Sequence, residues 1–399
     1  MVRAEIEAIL EDAAAAAGLD DFGDDWFLGP LAAWAEDLAQ PNLNDFGRRF
    51  LRSLVVRDVA RRLAVLEVLH RHPEIGAIPI PPLLYITGPE RSGTTLLHNL
   101  LACQPGARAL LRWELMEPVP PPETESHRHD PRIAAVQARV EKLRGSLLER
   151  MHWVNADEPE ECAWGFIDAV SMLGQVGVAM CMPQWRRFLL EEDLAPAFMH
   201  YRKVVQILLW KNPVPPDGCL VLKAPQIATH IAAVAWAFPE AHFVVPDRDP
   251  YRCVVSAAVA GHAIVEPFVV ENPLDDDGVR QRLMLTWIVP KLPAIAAFTA
   301  ARPDRITHVA YPDLISDPYA TAHDIFAAAG LATDDGLTKA IGVFLDAQRN
   351  GRRATPPAHL PTMGYTEDDV RSDPLVAAYC RRFAVQPETE RLTGVHSSR

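Results

Sequence analysis

Residues 88–95 read Gly-Pro-Glu-Arg-Ser-Gly-Thr-Thr, with Gly88 and Gly93 five positions apart and two hydroxyls behind them. A loop of this spacing between a strand and a helix turns backbone N–H groups onto a phosphate. Nucleotide-hydrolysing loops of the kind add a lysine and a hydroxyl-bound magnesium to neutralise the transferring phosphoryl group. Here Thr94 stands where that lysine is expected, and the loop's own cation is Arg91. The bland use of the same residues is a tight strand-to-helix turn capped by Thr94.

Two other stretches carry charge of a matching kind. In "VVPDRDPYRCVVS" an apolar run ends at Arg248, and Ser256 follows eight residues later on the first turns of an expected helix. A guanidinium fork with a hydroxyl suits a phosphate monoester. "CLVLKAPQ" ends a further apolar run at Lys223. Asp247 and Asp249 flank Arg248 and would also suit a magnesium-binding strand end, but the Arg-to-Ser spacing favours the phosphate clamp. A transferring sulfuryl group carries one negative charge fewer than a terminal phosphoryl, so cationic side chains can take the place of loop lysine and metal.

To act together, these residues must lie at the ends of neighbouring strands. From Leu83 onward, short apolar runs alternate with amphipathic helices: "LLYIT" with "TTLLHNLLACQ", "CLVLK" with "QIATHIAAVAWAF", "HFVVP" with "YRCVVSAAVAGHA", and "ITHVA" with "YATAHDIFAAAG". The pattern predicts an α/β fold with a parallel sheet covered on both faces, which binds ligands at its carboxyl edge. Residues 1–76 read as a helical extension. One helix closes at Gly18, and Asn44 caps a longer one whose stripe runs Phe46, Phe50, Leu54, Val59, Leu63, Leu66, Leu69. "PEIGAIPIPP" leads into the main unit, 77–399. Within that unit the Trp-, Met- and Pro-rich interval of about 115–216 breaks the alternation and predicts a helical insertion over the acceptor site. No internal repeat is present.

The balance of 39 Lys plus Arg against 52 Asp plus Glu, a formal charge of -13, argues against nucleic acid as a partner. Six scattered cysteines, with no C-x-x-C pair and no histidine at zinc spacing, predict reduced thiols and no metal. The acids in "MVRAEIEAILEDAAAAAG" break any signal-peptide core, and the expected location is cytoplasmic. The apolar stretch "AVSMLGQVGVAMCM" is too short to span a bilayer and reads as a buried helix or substrate wall, with peripheral membrane contact left open. Oligomeric state is open too, a homo-oligomer included.

Five blocks, "ERSGTTLLHNLLACQPGARALLRWELMEPVPPP", "DEPEECAW", "LVLKAPQ", "DRDPYRCVVS" and "YPDLISDP", resemble in kind and order those of the PAPS-dependent sulfotransferases. The likeness is to the bacterial members with a P-R-S-G-T-T loop, relatives of the tyrosylprotein sulfotransferases, and it runs from about Leu83 to Pro318. It implies a P-loop-NTPase-like sheet flanked by helices and metal-independent transfer of a sulfuryl group from 3'-phosphoadenylyl sulfate (PAPS) to a hydroxyl or amine of a small-molecule, lipid or glycan acceptor. By position, Arg91, Ser92, Gly93, Thr94 and Thr95 would hold the 5'-phosphosulfate, Arg248 and Ser256 the 3'-phosphate, and Lys223 the oxygen bridging sulfur and phosphorus. Glu90 departs from the family's proline and is expected either to reshape the loop entry or to pair with a neighbouring cation. "NGRRATPPAHLPTMGY" lacks the family's K-G pattern, leaving Arg349, Arg352 and Arg353 as weak candidates.

A hydroxyl acceptor needs a general base. The histidine that cytosolic sulfotransferases place two residues after the strand-end lysine is Pro225 here. The resemblance to the tyrosylprotein enzymes points to Glu114, 23 residues after Arg91, as the catalytic base beside Lys223 and Arg91. A surface or salt-bridged glutamate beside Arg112 is the competing role for Glu114, and His152, Glu158 and Glu161 form the reserve. His98 is expected along the helix flank, and Trp113, Trp153, Trp164, Trp185 and Trp210 in the core or lining an apolar acceptor pocket. The competing functions are a phosphotransferase using ATP and magnesium, and a non-catalytic nucleotide-binding protein of the same fold. The missing loop lysine opposes the first, and the joint presence of Lys223, Arg248 and Ser256 opposes the second.

Overall fold

The computed structural model describes residues 2–144, 155–166, 181–276, 278–279, 286–350 and 366–388. His152, Trp153, Arg352, Arg353 and most of "AVSMLGQVGVAMCM" lie outside the described residues.

Five parallel strands form the sheet: β1 (Leu83–Ile86), β2 (Arg108–Ala109), β3 (Leu220–Lys223), β4 (Ala241–Asp247) and β5 (Ile306–Ala310), in the order β2-β3-β1-β4-β5. The expected α/β architecture is present. Alternate residues of each central strand feed two different cores. Leu83, Tyr85, Leu220, Leu222 and Phe243 join the larger one, and Leu84, Ile86, Val221 and Val244 the smaller, so the apolar runs are unbroken because both faces are covered.

The extension contains α1 (Val2–Ala17), α2 (Leu28–Leu38) and α3 (Asp45–Arg71). Gly18 ends α1 at φ +65°, and the Asn44 side chain caps α3 by accepting from the Gly47 amide at 2.7 Å. Leu54, Val59, Leu63 and Leu66 of the anticipated stripe are buried. Phe46 and Phe50 are not: they are 51% and 37% exposed and stack with Phe268. The first turn of α3 overshoots the core and is clamped by the 266–270 loop, so tightly that a β-carbon on Gly47 would stand 2.1 Å from the Phe268 carbonyl oxygen. Ile9, Trp34 and Leu51 share the core that holds β1 and β3, so extension and sheet bury one continuous interior.

The helices that follow are α4 (Thr94–Leu101), α5 (Arg112–Met116), α6 (Pro131–Val140), α7 (Pro183–Glu191), α8 (Ala195–Trp210), α9 (Ile231–Ala237), α10 (Pro250–Val265) and α11 (Lys291–Ala301). After β5 come α12 (Tyr311–Ser316), α13 (Pro318–Ala328), α14 (Asp335–Asn350), α15 (Glu367–Arg371) and α16 (Pro374–Phe383). Trp113 and Trp185 are fully buried, as their default reading expects, while Trp164 and Trp210 are half-buried. None of the described helices is long and apolar enough to cross a membrane.

Candidate functional site

β1 enters the loop through Thr87, whose amide donates to the Val244 carbonyl at 3.0 Å and whose hydroxyl donates to that of Ala224 at 2.9 Å. The loop is thereby tied to both flanking strands before it turns. Gly88 and Gly93 adopt φ +137° and +98°, and Arg91 itself lies at φ +67°. Left-handed backbone is costly for a residue with a β-carbon and persists only where its surroundings hold it. Three contacts do so. Ser92 Oγ donates to the Pro89 carbonyl at 2.7 Å, Arg91 Nε donates to Ser256 Oγ at 3.0 Å, and the Arg91 carbonyl accepts from Arg248 Nη1 at 2.7 Å. A β-carbon at Gly93 would meet the Tyr311 ring at 3.0 Å, which closes the loop from outside. Behind it, the first amides of α4 have no partner within their own helix.

The stretch that carries Arg248 and Ser256 therefore meets the loop directly, though not in the pairing expected. Ser256, anticipated beside Arg248, serves Arg91. Arg248 lies 4.2 Å over the Tyr311 ring and turns Nε and Nη2 to the Glu388 carboxylate at 2.6 and 2.9 Å. Burial first, then the neighbouring Arg248, pull the Arg91 guanidinium below its usual range. Two desolvated guanidinium groups thus lie side by side, with the Glu388 carboxylate on the outer one.

Lys223, at the end of β3, is 1% exposed. Its ammonium donates to Thr95 Oγ1 at 3.2 Å and pairs with Glu161 Oε1 at 3.0 Å. Glu161 arrives on a short ribbon: Leu111 bridges Pro159 in antiparallel fashion, Glu160 N donates to Leu110 O at 3.1 Å, and Arg112 N donates to Glu158 O at 3.1 Å. Arg112 reinforces the ribbon through Glu160 at 2.6 Å. Of the reserve acids, Glu161 is thus the one brought against the strand-end lysine.

Glu114 is placed differently from the expectation of a free base. Its carboxylate is fully buried, with Oε1 accepting from Arg108 Nη2 at 2.5 Å and standing 3.1 Å from His127 Nε2, and Oε2 accepting from the Leu111 amide at 2.9 Å. Burial pushes its pKa up, but Arg108, His127 and the amide together outweigh that and hold it below the usual range. The geometry makes Glu114 the cap of α5 and the brace of the ribbon that carries Glu161.

The remaining sequence candidates have structural partners. His98 is buried against β3 with Nε2 3.3 Å from the Val221 carbonyl, and burial, followed by Lys223, pulls its pKa down to about 3. It is neutral and lies inside the core, not along the helix flank. Asp247 accepts from the Tyr379 hydroxyl and meets His308 Nδ1 at 2.8 Å. Asp249 caps α10 and pairs with Arg371 at 2.5 Å. Among the described residues no group of three His, Cys, Asp or Glu could hold a metal ion. Arg349 is exposed and pairs with Asp346 on its own helix. Glu90 has the cation anticipated for it: Oε1 accepts from Lys291 Nζ, and from Trp287 Nε1 at 3.1 Å. Lys291, 1% exposed, and Glu388 were missed by sequence reasoning, because neither carries a local motif.

Comparison with known proteins bears on the family and the fold. Residues 82–335 match the model of the sulfotransferase family. Over 256 residues the chain is 23% identical to the omega-hydroxy-beta-dihydromenaquinone-9 sulfotransferases Stf3 of Mycobacterium bovis and Mycobacterium tuberculosis, covering 63% of this chain and 63% of each relative. Its fold is similar to that of sulfotransferase STF9 from Mycobacterium avium, with 24% identity, a TM-score of 0.85, and 96% of this chain and 97% of that one covered. Sulfotransferase STF1 from Mycobacterium tuberculosis follows at 23% and 0.75, covering 95% and 98%.

Proposed function

The chain belongs to the sulfotransferase family, and on that premise we propose that it moves a sulfuryl group from PAPS to a hydroxyl or amine of a small-molecule, lipid or glycan acceptor, in line and without a metal. The observation that carries this reading is the pair of contact sets that bring both strand-end cations to one loop: Arg248 to the Arg91 carbonyl with Arg91 to Ser256, and Lys223 to Thr95. Arg91, the amides at the head of α4 and the hydroxyls of Ser92, Thr94 and Thr95 hold the 5'-phosphosulfate, with Gly93 giving the backbone its close approach. Arg248 takes the 3'-phosphate, with Ser256 fixing Arg91 beside it. The Arg248 fork, which already draws a carboxylate onto Nε and Nη2, supports an anionic ligand over a neutral one.

As the acceptor oxygen attacks sulfur, the new S–O bond forms while the bond from sulfur to the bridging oxygen breaks. Charge grows on that bridging oxygen, and Lys223 stabilises it there, more strongly in the transition state than in the ground state. Lys223 has a third N–H for the donor beside those on Thr95 and Glu161, and Glu161, the carboxylate it holds next to the reacting oxygens, accepts the acceptor's proton. The leaving group is adenosine 3',5'-bisphosphate. Glu114, with both oxygens engaged, holds the ribbon that presents Glu161.

The curated relatives are named for an omega-hydroxylated dihydromenaquinone, a lipid alcohol. An alcohol acceptor fits the chemistry proposed here. The six cysteines are free thiols, which supports a reducing, cytoplasmic setting. The test is nucleotide binding without magnesium. Adenosine 3',5'-bisphosphate at a hundredfold over its dissociation constant should stabilise the protein by about 2.7 kcal/mol, AMP should do much less, and Arg248→Ala should erase the difference. Best stabilisation by ATP with magnesium would replace this reading with the phosphotransferase one.

A further inference from the structure

The arginine fork that the proposed function gives to the donor's 3'-phosphate is filled by the chain's own carboxylate. Glu388, whose side chain is 8% exposed, sets both oxygens on Nε and Nη2 of Arg248 at 2.6 and 2.9 Å. That is the edge a phosphate monoester would take, because Nη1 is committed to the Arg91 carbonyl. A phosphate and Glu388 cannot hold this edge together.

The segment bearing Glu388 is built to return to the same place. Ala384 turns the chain out of α16 at φ +53°, and Val385 N closes the turn on the Cys380 carbonyl at 3.0 Å. Glu388 N then donates to Asp249 Oδ2 at 3.0 Å, and its carbonyl accepts from Arg252 Nη2 at 3.1 Å. Asp249 is itself fixed by Arg371. These anchors come from the first turn of α10, the helix whose start carries the proposed clamp. A dianionic phosphate outbids a monoanionic carboxylate for a guanidinium.

We propose that Glu388 is an internal competitor for the donor's 3'-phosphate, an inference that rests on the sulfotransferase reading. In the empty enzyme it neutralises Arg248 and relieves the repulsion between Arg248 and Arg91. Donor binding displaces it. After transfer it re-enters the fork and speeds the departure of adenosine 3',5'-bisphosphate. It therefore lowers affinity for every 3'-phosphorylated nucleotide and leaves nucleotides without that phosphate untouched.

The experiment compares the parent with Glu388→Gln and Glu388→Ala, each checked by circular dichroism, using adenosine 3',5'-bisphosphate and AMP as calorimetric probes. Both substitutions should tighten the bisphosphate by about tenfold or more, the scale of one charge-assisted pair, with AMP unchanged. Under turnover, KM for the donor should fall and inhibition by the bisphosphate should strengthen. Amide exchange adds a reading on the parent alone: binding of the bisphosphate should speed exchange at Glu388 and Val385. Bisphosphate affinity that is unchanged or weaker in both variants, or protection of Glu388 that rises on binding, would make Glu388 a fixed brace of Arg248 and overturn the proposal. Failure of the bisphosphate to bind parent and variants alike, with ATP and magnesium binding instead, would defeat the sulfotransferase reading together with it.

Discussion

Lys223→Met removes the charge proposed to meet the leaving oxygen while keeping most of the side chain's stem. Because Lys223 is 1% exposed, water does not replace what is lost. Two effects follow from its two partners. In the resting enzyme Glu161, 15% exposed, loses its cation and keeps Gln226 on its other oxygen, and the loss of a hydrogen bond between charged groups costs about 1.5–3 kcal/mol. In a chain of this length that lowers Tm by only a few degrees. In the transition state the loss of one donor aimed at developing charge costs about 2.7–4 kcal/mol, or roughly 10²–10³ in kcat. The second variant Lys223→Met/Glu161→Gln shows how much of the Tm change comes from that carboxylate, since it removes its charge: Tm should recover, while kcat is judged from the single variant because Glu161 is itself the proposed base. Turnover is read from product mass with labelled donor, and affinity from calorimetry with adenosine 3',5'-bisphosphate. That nucleotide lacks the sulfuryl group, so its dissociation constant should move by no more than about threefold. A folded Lys223→Met enzyme with kcat within a few-fold of the parent would refute the assignment.

Glu161→Gln should lower kcat by about 10²–10⁴ and lower Tm as well, since it leaves the buried Lys223 ammonium without its carboxylate. Glu114→Gln should act mainly on stability, costing about 3 kcal/mol by leaving buried Arg108 without its carboxylate; the reverse pattern in paired activity and melting measurements would return the base to Glu114. Gly93→Ala should abolish bisphosphate binding, read by calorimetry, since φ +98° and the Tyr311 ring at 3.0 Å both oppose a β-carbon. His98 has its folded pKa pulled from 6.5 to about 3, so its neutral form contributes stability that is fully present above pH 6.5 and is lost as pH falls toward 3. His98→Asn should flatten that limb of a pH series of melting curves and leave the pH dependence of kcat above 6.5 unchanged.

The parts of this molecule legible in the sequence are those written in local chemistry. Glycine spacing announced a loop whose backbone reaches φ +137° and +98°, and unbroken apolar runs announced strands covered on two faces. Asn44 and Gly18 marked helix ends because capping is decided within a turn. The same locality explains the misjudged start of α3. Phe46 and Phe50 keep the helical period, but whether a periodic face meets the core depends on how far the partner surface extends, and here it stops short of the first turn.

What stayed hidden is which opposite charge each site residue meets. Arg248 and Glu388 are 140 positions apart, Glu90 and Lys291 are 201 apart, and Lys223 and Glu161 are joined only through a ribbon pinned by Leu110, Leu111 and Arg112. No periodicity or spacing encodes such pairs; they follow from the crossovers of the sheet. Their common logic is electrostatic. Arg91, Lys223, Arg248 and Lys291 are buried or largely buried cations around one loop, and a buried cation without a partner is costly. Glu90, Glu161 and Glu388 supply the opposite charge in the resting enzyme. Two of the three, Glu161 and Glu388, sit on the cations assigned to the donor, and the contact of Glu388 with Arg248 is one a donor must exchange. Affinity at this site is then a difference between two sets of charge-assisted pairs, and acidic residues outside every recognised motif set one side of it.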